Sequence, residues 1–344
     1  FYKKILRRTP GVNMSILVVY NATGRKNPDN SNFYIKNIKT ILEQDYVDMK
    51  LVFSGDHIPP NTFKKLYDEF GSDISYCLTN DKLAVNQTFN HTVLKSVEVF
   101  GEFDGYMYVA SDVSSSNDKN SLTRLATRTD NPLNGIISPE IDKDNGYYWW
   151  FNFDESQNLW DVFSRDEDFV VPLGATANLH CKIFSKKIFN EYGRPLPDIF
   201  VSYCTESIFS FLAAAVGQRF VITNDVLCHH GNETAVHAGL DGHTLAFGAG
   251  WDILYDNAPR SIAEIINDPE AYACGLGYEE WAPPFIAKGK CVPTKPHLMH
   301  DPEQFDKQGF SKDNRLRDYI KENFFLPPDV LDYNKIKFKF FKGK

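Results

Sequence analysis

The sequence lacks the long apolar and low-complexity stretches of membrane-spanning and fibrous chains. Of its 344 residues, 42% are hydrophobic and 24% are charged, which excludes disordered, collagen-like and coiled-coil proteins. The longest apolar run, residues 208–216, is about half as long as a bilayer span requires. No secretory signal is visible, because residues 1–4 lead into the basic pair Arg7 and Arg8 and not into an apolar stretch. The chain begins with Phe1, so the loss of an N-terminal membrane anchor stays an open alternative.

Positive charge and paired cysteines are also scarce. The net charge of −8 excludes a general nucleic-acid binder, because neutralising phosphates needs a basic surface. The six cysteines include no Cys-x-x-Cys pair, which excludes a zinc ribbon or a thioredoxin-like motif. Scattered thiols are typical of a reducing compartment, so we expect a cytoplasmic protein. Five Asn-x-Ser/Thr sequons keep a lumenal, disulfide-bonded protein as the alternative; they lie at Asn13, Asn21, Asn86, Asn90 and Asn232.

Hydrophobic patterning in the first third of the chain predicts an α/β fold. Four short apolar runs predict buried strands, and the segments between them repeat apolar residues at helical spacing. Strands are predicted at residues 12–20, 49–53, 74–78 and 105–110, and helices at 33–44, 62–70 and 84–99. Such alternation predicts a mostly parallel sheet flanked by helices.

The second part of the chain differs from the first in polarity and in hydrophobic periodicity. Residues 114–145 are polar and rich in Ser, Asn, Asp and Thr, which predicts a long surface loop or a partly ordered excursion. Beyond it, apolar spacing predicts helices over 184–192 and 206–216 and a strand over 219–227. Over residues 232–344 the periodicity is weak and Gly and Pro are frequent, so we expect a smaller C-terminal subdomain or a wrapping extension.

The motifs of the common α/β enzymes are missing. There is no Gly-x-Gly-x-x-Gly after the first strand, no P-loop and no Gly-x-Ser-x-Gly, which argues against a dinucleotide-binding domain, a P-loop NTPase and an α/β-hydrolase. Polar side chains instead follow the predicted strands, at the edge where open α/β sheets bind ligands. They are Tyr20 and Asn21 after the first strand, Ser54 and Asp56 after the second, and Ser111 and Asp112 after the fourth.

This order of elements resembles the nucleotide-sugar-binding half of the GT-A glycosyltransferases, in particular the large inverting family called family 2. In that family the first two strand ends hold the nucleotide, an Asn-bearing helix precedes the metal strand, and an Asp-x-Asp motif binds a divalent cation. Here the motif stands as Ala110-Ser111-Asp112, so its first acid is missing. The resemblance covers residues 12–231 and implies a GT-A fold, with a donor-binding half at 12–112 and an acceptor half at 147–231.

The polar residues at the strand ends and the roles that the resemblance implies together define the predicted functional site. Donor contacts are expected from Tyr20, Asn21, Ser54, Asp56, Asn86, Asn90, Ser111 and Asp112. Metal ligands are expected at Asp112 and at one of His229 and His230, a carboxylate and imidazole set compatible with Mn²⁺, with Mg²⁺ as the alternative. The resemblance also places a catalytic base at Glu206 and an acceptor segment around Asn178. Trp149 and Trp150 are candidates for stacking on an acceptor sugar.

Each assignment has a structural alternative. Asp112 could only cap a turn, Glu206 could be a first-turn helix acid, and the tryptophans could be core residues. The basic ends, residues 3–8 and 335–344, are expected to be solvated tails, with contact to an anionic membrane as the alternative.

The expected function is metal-dependent, inverting transfer of a sugar from a nucleotide diphosphate sugar, such as a UDP- or GDP-sugar, to a hydroxyl of a glycan or glycoconjugate. One alternative is a non-catalytic carbohydrate-binding or scaffold protein on a decayed transferase fold, which the missing acid favours. A sugar-phosphate nucleotidyltransferase is a weaker alternative, because residues 20–26 contain a single glycine where a glycine-rich loop is needed.

Overall fold

Strands and helices alternate through the N-terminal third, as the sequence predicts. The computed structural model describes residues 14–23, 30–45, 48–81, 83, 85–111, 113–115, 118–141, 168–170, 181–198, 209, 212–230, 317–318, 320–322, 325, 327–328 and 331–343. The first elements are β1 (Ile16–Thr23), α1 (Ser31–Leu42), β2 (Met49–Asp56), α2 (Pro60–Phe70), β3 (Ser75–Thr79), α3 (Val85–Phe100) and β4 (Gly105–Ala110).

Burial explains why these segments take these forms. Residues 16–20 of β1 are fully buried, because the strand is covered on both faces and its apolar run leaves nothing polar inside. Helix α1 turns Tyr34, Ile38 and Ile41 inward, one helical turn apart. Helix α2 begins with Pro60, whose fixed φ suits a first turn, and is followed by Gly71 at a φ of 50°.

The polar segment after β4 contains regular elements, so the prediction of a long loop over residues 114–145 is wrong for residues 114–115 and 118–141. It forms β5 (Val113–Ser115), α4 (Ser121–Thr127), a 3₁₀ turn (Arg128–Asp130) and β6 (Asn134–Ile141). Helix α4 buries Leu122, Leu125 and Ala126, which recur at helical spacing, and β6 buries Ile136 and Ile137. A few apolar residues per element suffice here because the neighbouring strands supply the rest of the core.

The remaining strands complete the sheet. They are β7 (Phe169–Val170), β8 (Cys181–Ser185), β9 (Arg219–His230) and β10 (Phe338–Phe341), with α5 (Lys186–Tyr192) after β8. The helix predicted from residue 184 therefore starts two residues later. Ser185 ends the strand and caps the helix, its hydroxyl accepting a hydrogen bond from the Ile188 amide.

All ten described strands belong to one largely parallel sheet. Its order is β10-β3-β2-β1-β4-β8-β6-β9-β5, with β7 also paired to β9. Strands β3, β2, β1 and β4 are parallel, and β8 runs antiparallel between β4 and β6. The carboxyl ends of the four parallel strands consequently share one edge, called the ligand edge below. Thr23, Asp56 and Thr79 lie side by side along it.

The basic C-terminal run is part of the sheet, so the expectation of a solvated tail is wrong for residues 338–341. Strand β10 pairs antiparallel with β3. The Gly343 amide donates to the Ser75 hydroxyl at 2.9 Å, and the imidazole of His91 on α3 stacks on Phe338 with ring centroids 3.4 Å apart. Among the described helices, none is long and apolar enough to cross a bilayer.

We expect acid to weaken the attachment of the C-terminal strand through His91. The imidazole is fully buried and neither ring nitrogen has a hydrogen-bond partner. Burial, with a smaller contribution from Lys95, lowers the pKa of His91 to about 3. The unfolded chain therefore binds one more proton than the folded chain between about pH 6.5 and pH 3, and the stability that the neutral ring contributes is lost as the pH falls.

The variant H91F should separate this contribution from other acid effects. Phenylalanine keeps the stacking on Phe338 and removes two unpaired buried nitrogens, so H91F should be at least as stable as wild type at pH 7. Below pH 6.5 the free energy of unfolding of H91F should fall by up to about 1.4 kcal/mol less per pH unit than that of wild type. Urea unfolding at pH 7, 6, 5 and 4 gives both slopes, and parallel slopes would contradict the assignment.

Candidate functional site

The ligand edge collects residues that the sequence leaves far apart. Parallel pairing sets Asn21 of β1 opposite Ser54 of β2 and Ala110 of β4. Ligands of open α/β sheets bind outside this edge, because backbone groups at the strand ends are not needed for hydrogen bonds within the sheet. The predicted donor residues of the first, second and fourth strands are thus brought together.

Tyr20 faces the interior instead of the edge. Its ring is fully buried between Tyr34 and Phe53, at centroid distances of 6.1 and 6.0 Å. Its hydroxyl donates to the Ser111 carbonyl oxygen at 2.6 Å. Asn37 of α1, which sequence reasoning did not select, donates to the same oxygen at 3.1 Å. Tyr20 therefore supports the turn after β4 from the interior of the protein.

Ser54 also serves the interior. It is fully buried, and its hydroxyl lies 2.7 Å from that of Thr92 on α3. Because Thr92 donates its own proton to the Thr88 carbonyl at 2.9 Å, Ser54 is the donor of this pair. The bond fastens β2 to α3 directly beneath the ligand edge.

A strained turn at the end of β2 presents a further polar group. Asp56 is almost fully buried, and His57 follows it in the left-handed region with a φ of 51°. The His57 amide donates to the Thr79 carbonyl at 2.8 Å, and its imidazole Nδ1 lies 3.7 Å from Asp56 Oδ2. Gly55 permits the turn, since a Cβ there would lie 2.4 Å from Ile58 Cγ1. Positive φ at a non-glycine residue was not visible in the sequence.

The asparagines of α3 hold a neighbouring segment. Asn90 is fully buried, donates to the Leu196 carbonyl at 2.6 Å and to Asp198 Oδ1 at 3.0 Å, and accepts from the Leu196 amide at 3.0 Å. Asn86 donates to the Pro197 carbonyl, and Asn21 donates to the Val85 carbonyl at 3.0 Å. These amides join β1, α3 and residues 196–198.

Asp198 is the centre of a buried polar cluster that the sequence did not reveal. Its side chain is fully buried and accepts from Arg194 Nε at 2.7 Å and from the Tyr333 hydroxyl. Burial and the neighbouring Asp198 charge raise the pKa of Tyr333 far above its usual value. The Arg194 guanidinium lies 5.4 Å from the Phe325 ring centroid. The cluster fastens the C-terminal segment to α3 on the face that carries Asn90.

The sheet brings the histidine pair next to the residue that follows Asp112. The end of strand β9 pairs antiparallel with β5, so that His230 lies opposite Val113 and His229 lies opposite Ser114. The backbone of Val113, which follows Asp112 in the sequence, therefore meets that of His230 across more than a hundred residues of sequence.

Several predicted residues lie outside the described part of the chain. These are Asp112, Trp149, Trp150, Asn178 and Glu206, together with the side chains of His229 and His230. Among the described residues, no group of three or more His, Cys, Asp or Glu side chains is placed to hold a metal ion.

Comparison with known proteins identifies the fold. No protein-family model and no curated protein sequence matches the chain. Among solved structures, the chain is similar to GalNAc-T7 with UDP, GalNAc and Mn²⁺, with a TM-score of 0.51 and 11% identity, over 86% of this chain and 58% of that one. The chain has the GT-A fold of nucleotide-sugar-dependent glycosyltransferases. The predicted fold class is thereby confirmed.

A second similar structure is the mannosyltransferase PcManGT from Pyrobaculum calidifontis in complex with GDP-Man and Mn²⁺. It has a TM-score of 0.46 and 13% identity, over 90% of this chain and 79% of that one.

Within this GT-A fold, the variant N90A should be strongly destabilised, because it leaves the Leu196 amide and carbonyl without a partner and removes one hydrogen bond to the buried Asp198 carboxylate. We expect a loss of about 2–4 kcal/mol in the free energy of unfolding. Gln87→Ala is the matched control: Gln87 lies one turn away on α3 and donates to the Asp198 backbone carbonyl from a half-buried position. It should lose about 1 kcal/mol or less. Equal urea midpoints for N90A and wild type would contradict the structural role.

Proposed function

We propose that this chain is a metal-dependent glycosyltransferase that moves a sugar from a UDP- or GDP-sugar to a hydroxyl of a glycan or glycoconjugate. The observation that carries the proposal is the pairing of β9 with β5, which sets His229 and His230 beside the strand that follows Asp112. A GT-A fold and a ligand edge lined by polar strand ends support it. Both similar structures hold a sugar nucleotide or its parts together with Mn²⁺.

The proposed metal set is Asp112 with His229 or His230. A carboxylate and an imidazole suit Mn²⁺, and Mg²⁺ is the alternative. A divalent cation bound there would stabilise the charge that develops on the diphosphate leaving group. The chain's own part would be to hold the histidines at the end of β9 beside β5, the strand that follows the carboxylate in the sequence.

The proposed donor contacts fall into two groups. Asp56, Asn21 and Ser111 lie at the ends of strands, on the ligand edge, where we propose that a nucleotide binds. Of these, Asp56 and Asn21 are themselves almost fully buried, and Asn21 also donates to the Val85 carbonyl. Tyr20, Ser54, Asn86 and Asn90 are buried and engaged in internal hydrogen bonds, so we propose that they act by fixing the edge.

The proposed acceptor side consists of Glu206, Asn178, Trp149 and Trp150. Glu206 would take the proton from the attacking hydroxyl, a role worth on the order of 10²- to 10⁴-fold in rate. Direct attack of that hydroxyl on the sugar inverts the anomeric centre. The tryptophans would stack on the acceptor sugar, and Asn178 would contact it.

A cytoplasmic location fits these contacts. The scattered cysteines of the sequence support this proposal, and Cys77, Cys181 and Cys228 are buried. The sequon amides of Asn86 and Asn90 lie in the core, where a glycan has no room.

Nucleotide binding should depend on the metal and on Asp112. A panel of UDP-, GDP-, CMP- and dTDP-sugars, with and without Mn²⁺, should raise the melting temperature for one nucleotide class only when Mn²⁺ is present. At a hundred times the dissociation constant the expected stabilisation is about 2.7 kcal/mol. The variant D112N should lose the Mn²⁺-dependent part. Binding without turnover would favour the non-catalytic carbohydrate-binding alternative, and no shift with any donor would overturn the proposal.

The variant E206Q should separate binding from transfer. Glutamine keeps the shape of the side chain but cannot accept a proton, so transfer to acceptor should fall by about 10²-fold or more while the donor shift in melting temperature is unchanged. Transfer is followed as nucleotide diphosphate release with and without acceptor. Full activity of E206Q would reject Glu206 as the base.

A further inference from the structure

One backbone oxygen at the ligand edge is held by two buried side chains. The Ser111 carbonyl accepts from the Tyr20 hydroxyl at 2.6 Å and from Asn37 Nδ2 at 3.1 Å. Asn37 Nδ2 also donates to the Tyr20 hydroxyl oxygen at 3.3 Å, so the three groups form a closed triangle. The two side chains come from β1 and α1, and the carbonyl comes from the turn after β4.

Both side chains are buried. Tyr20 and Asn37 are 0% and 1% exposed, and the Asn37 Oδ1 atom has no hydrogen-bond partner. A buried amide with an unpaired oxygen costs free energy, because that oxygen loses its water without replacement. Asn37 is therefore poorly explained by core packing alone, where leucine would fill the space more favourably.

The atom they hold belongs to the peptide group that joins Ser111 to Asp112. A peptide group is planar, so fixing its carbonyl oxygen also fixes the direction in which the chain enters the next residue. Residue 113, directly beyond, pairs with His230 across β5 and β9. The triangle thus lies two residues before the position of β5 that pairs with His230.

We propose that Tyr20 and Asn37 are positioning residues for metal-dependent donor binding, which they support by fixing the Ser111–Asp112 peptide group. This inference rests on the proposed function. It reassigns Tyr20 from donor contact to support and adds Asn37, which carries no signal in the sequence beyond a polar position on the inner face of α1.

The test compares two tyrosines of the same aromatic cluster. Y20F removes the hydroxyl that reaches Ser111, while the control Y76F removes an equally buried hydroxyl that donates to the Leu66 carbonyl at 3.3 Å, on the far side of β2. Both variants keep the ring. Y20F loses the bond to Ser111 and the longer bond from Asn37, and Y76F loses one bond, so both should lower the melting temperature by a few degrees. The variant N37A tests the second donor.

Only the Tyr20 and Asn37 variants should alter the metal response. The probe is UDP or GDP, whichever the wild type binds, titrated with Mn²⁺. Y20F and N37A should need about tenfold more Mn²⁺ for half-maximal binding, as outer supports of metal ligands typically do. Y76F should stay within twofold of wild type. Nucleotide binding without metal should be unchanged in all three.

Hydrogen exchange gives a readout that is independent of nucleotide. Peptides covering residues 110–115 should exchange faster in Y20F and N37A than in Y76F. If wild type binds nucleotide with Mn²⁺ but Y20F and Y76F respond alike, the positioning role is wrong and the proposed function stands. If wild type shows no Mn²⁺-dependent binding, the proposed function fails, and the link between the triangle and a metal fails with it.

Discussion

Parallel pairing of β1 with both β2 and β4 is the constraint on which the rest of this structure depends. This register fixes where the three strands end relative to one another, and it therefore decides which polar residues share the ligand edge. The pairing is itself fixed by the apolar interior of β1. A slip of one residue would exchange the side chains that β1 presents to its two covered faces and would move Asn21 away from Ser54 and Ala110. Core packing and site geometry are therefore set by the same register.

Buried polar side chains of α3 join this helix to segments that are distant in the sequence. The helix turns Asn86, Asn90 and His91 inward, and each meets a segment distant in sequence. Asn90 and Asp198 join the helix to residues 194–198 and to the C-terminal segment, while His91 packs on strand β10. Buried hydrogen bonds of this kind tolerate little rearrangement, because each broken partner leaves an unsatisfied group in the core. The C-terminal strand is thereby tied to the sheet that carries the ligand edge.

The prediction from sequence succeeded where local pattern and burial agree. The runs around Val18, Val52 and Tyr108 are apolar because both faces of these strands are covered, and they predicted the parallel sheet correctly. It failed over residues 114–115 and 118–141, where short elements contain two or three apolar residues amid polar ones. The core around Leu122 and Ile136 is completed by neighbouring strands, so no local window contains enough apolar residues to reveal it.

The sequence by itself determined the fold class and the strand ends that line the ligand edge, because hydrophobic period and chain order suffice to specify a parallel sheet. Tertiary structure alone decided what each polar side chain does. Tyr20 and Asp56 both lie near a strand end, yet one supports the Ser111 carbonyl from the core and the other ends a strained turn at the edge. The physical reason is that a hydrogen-bond partner is defined by distance and burial. Asn37 and Ser111 come within 3.1 Å of each other only after β1, α1 and β4 have packed.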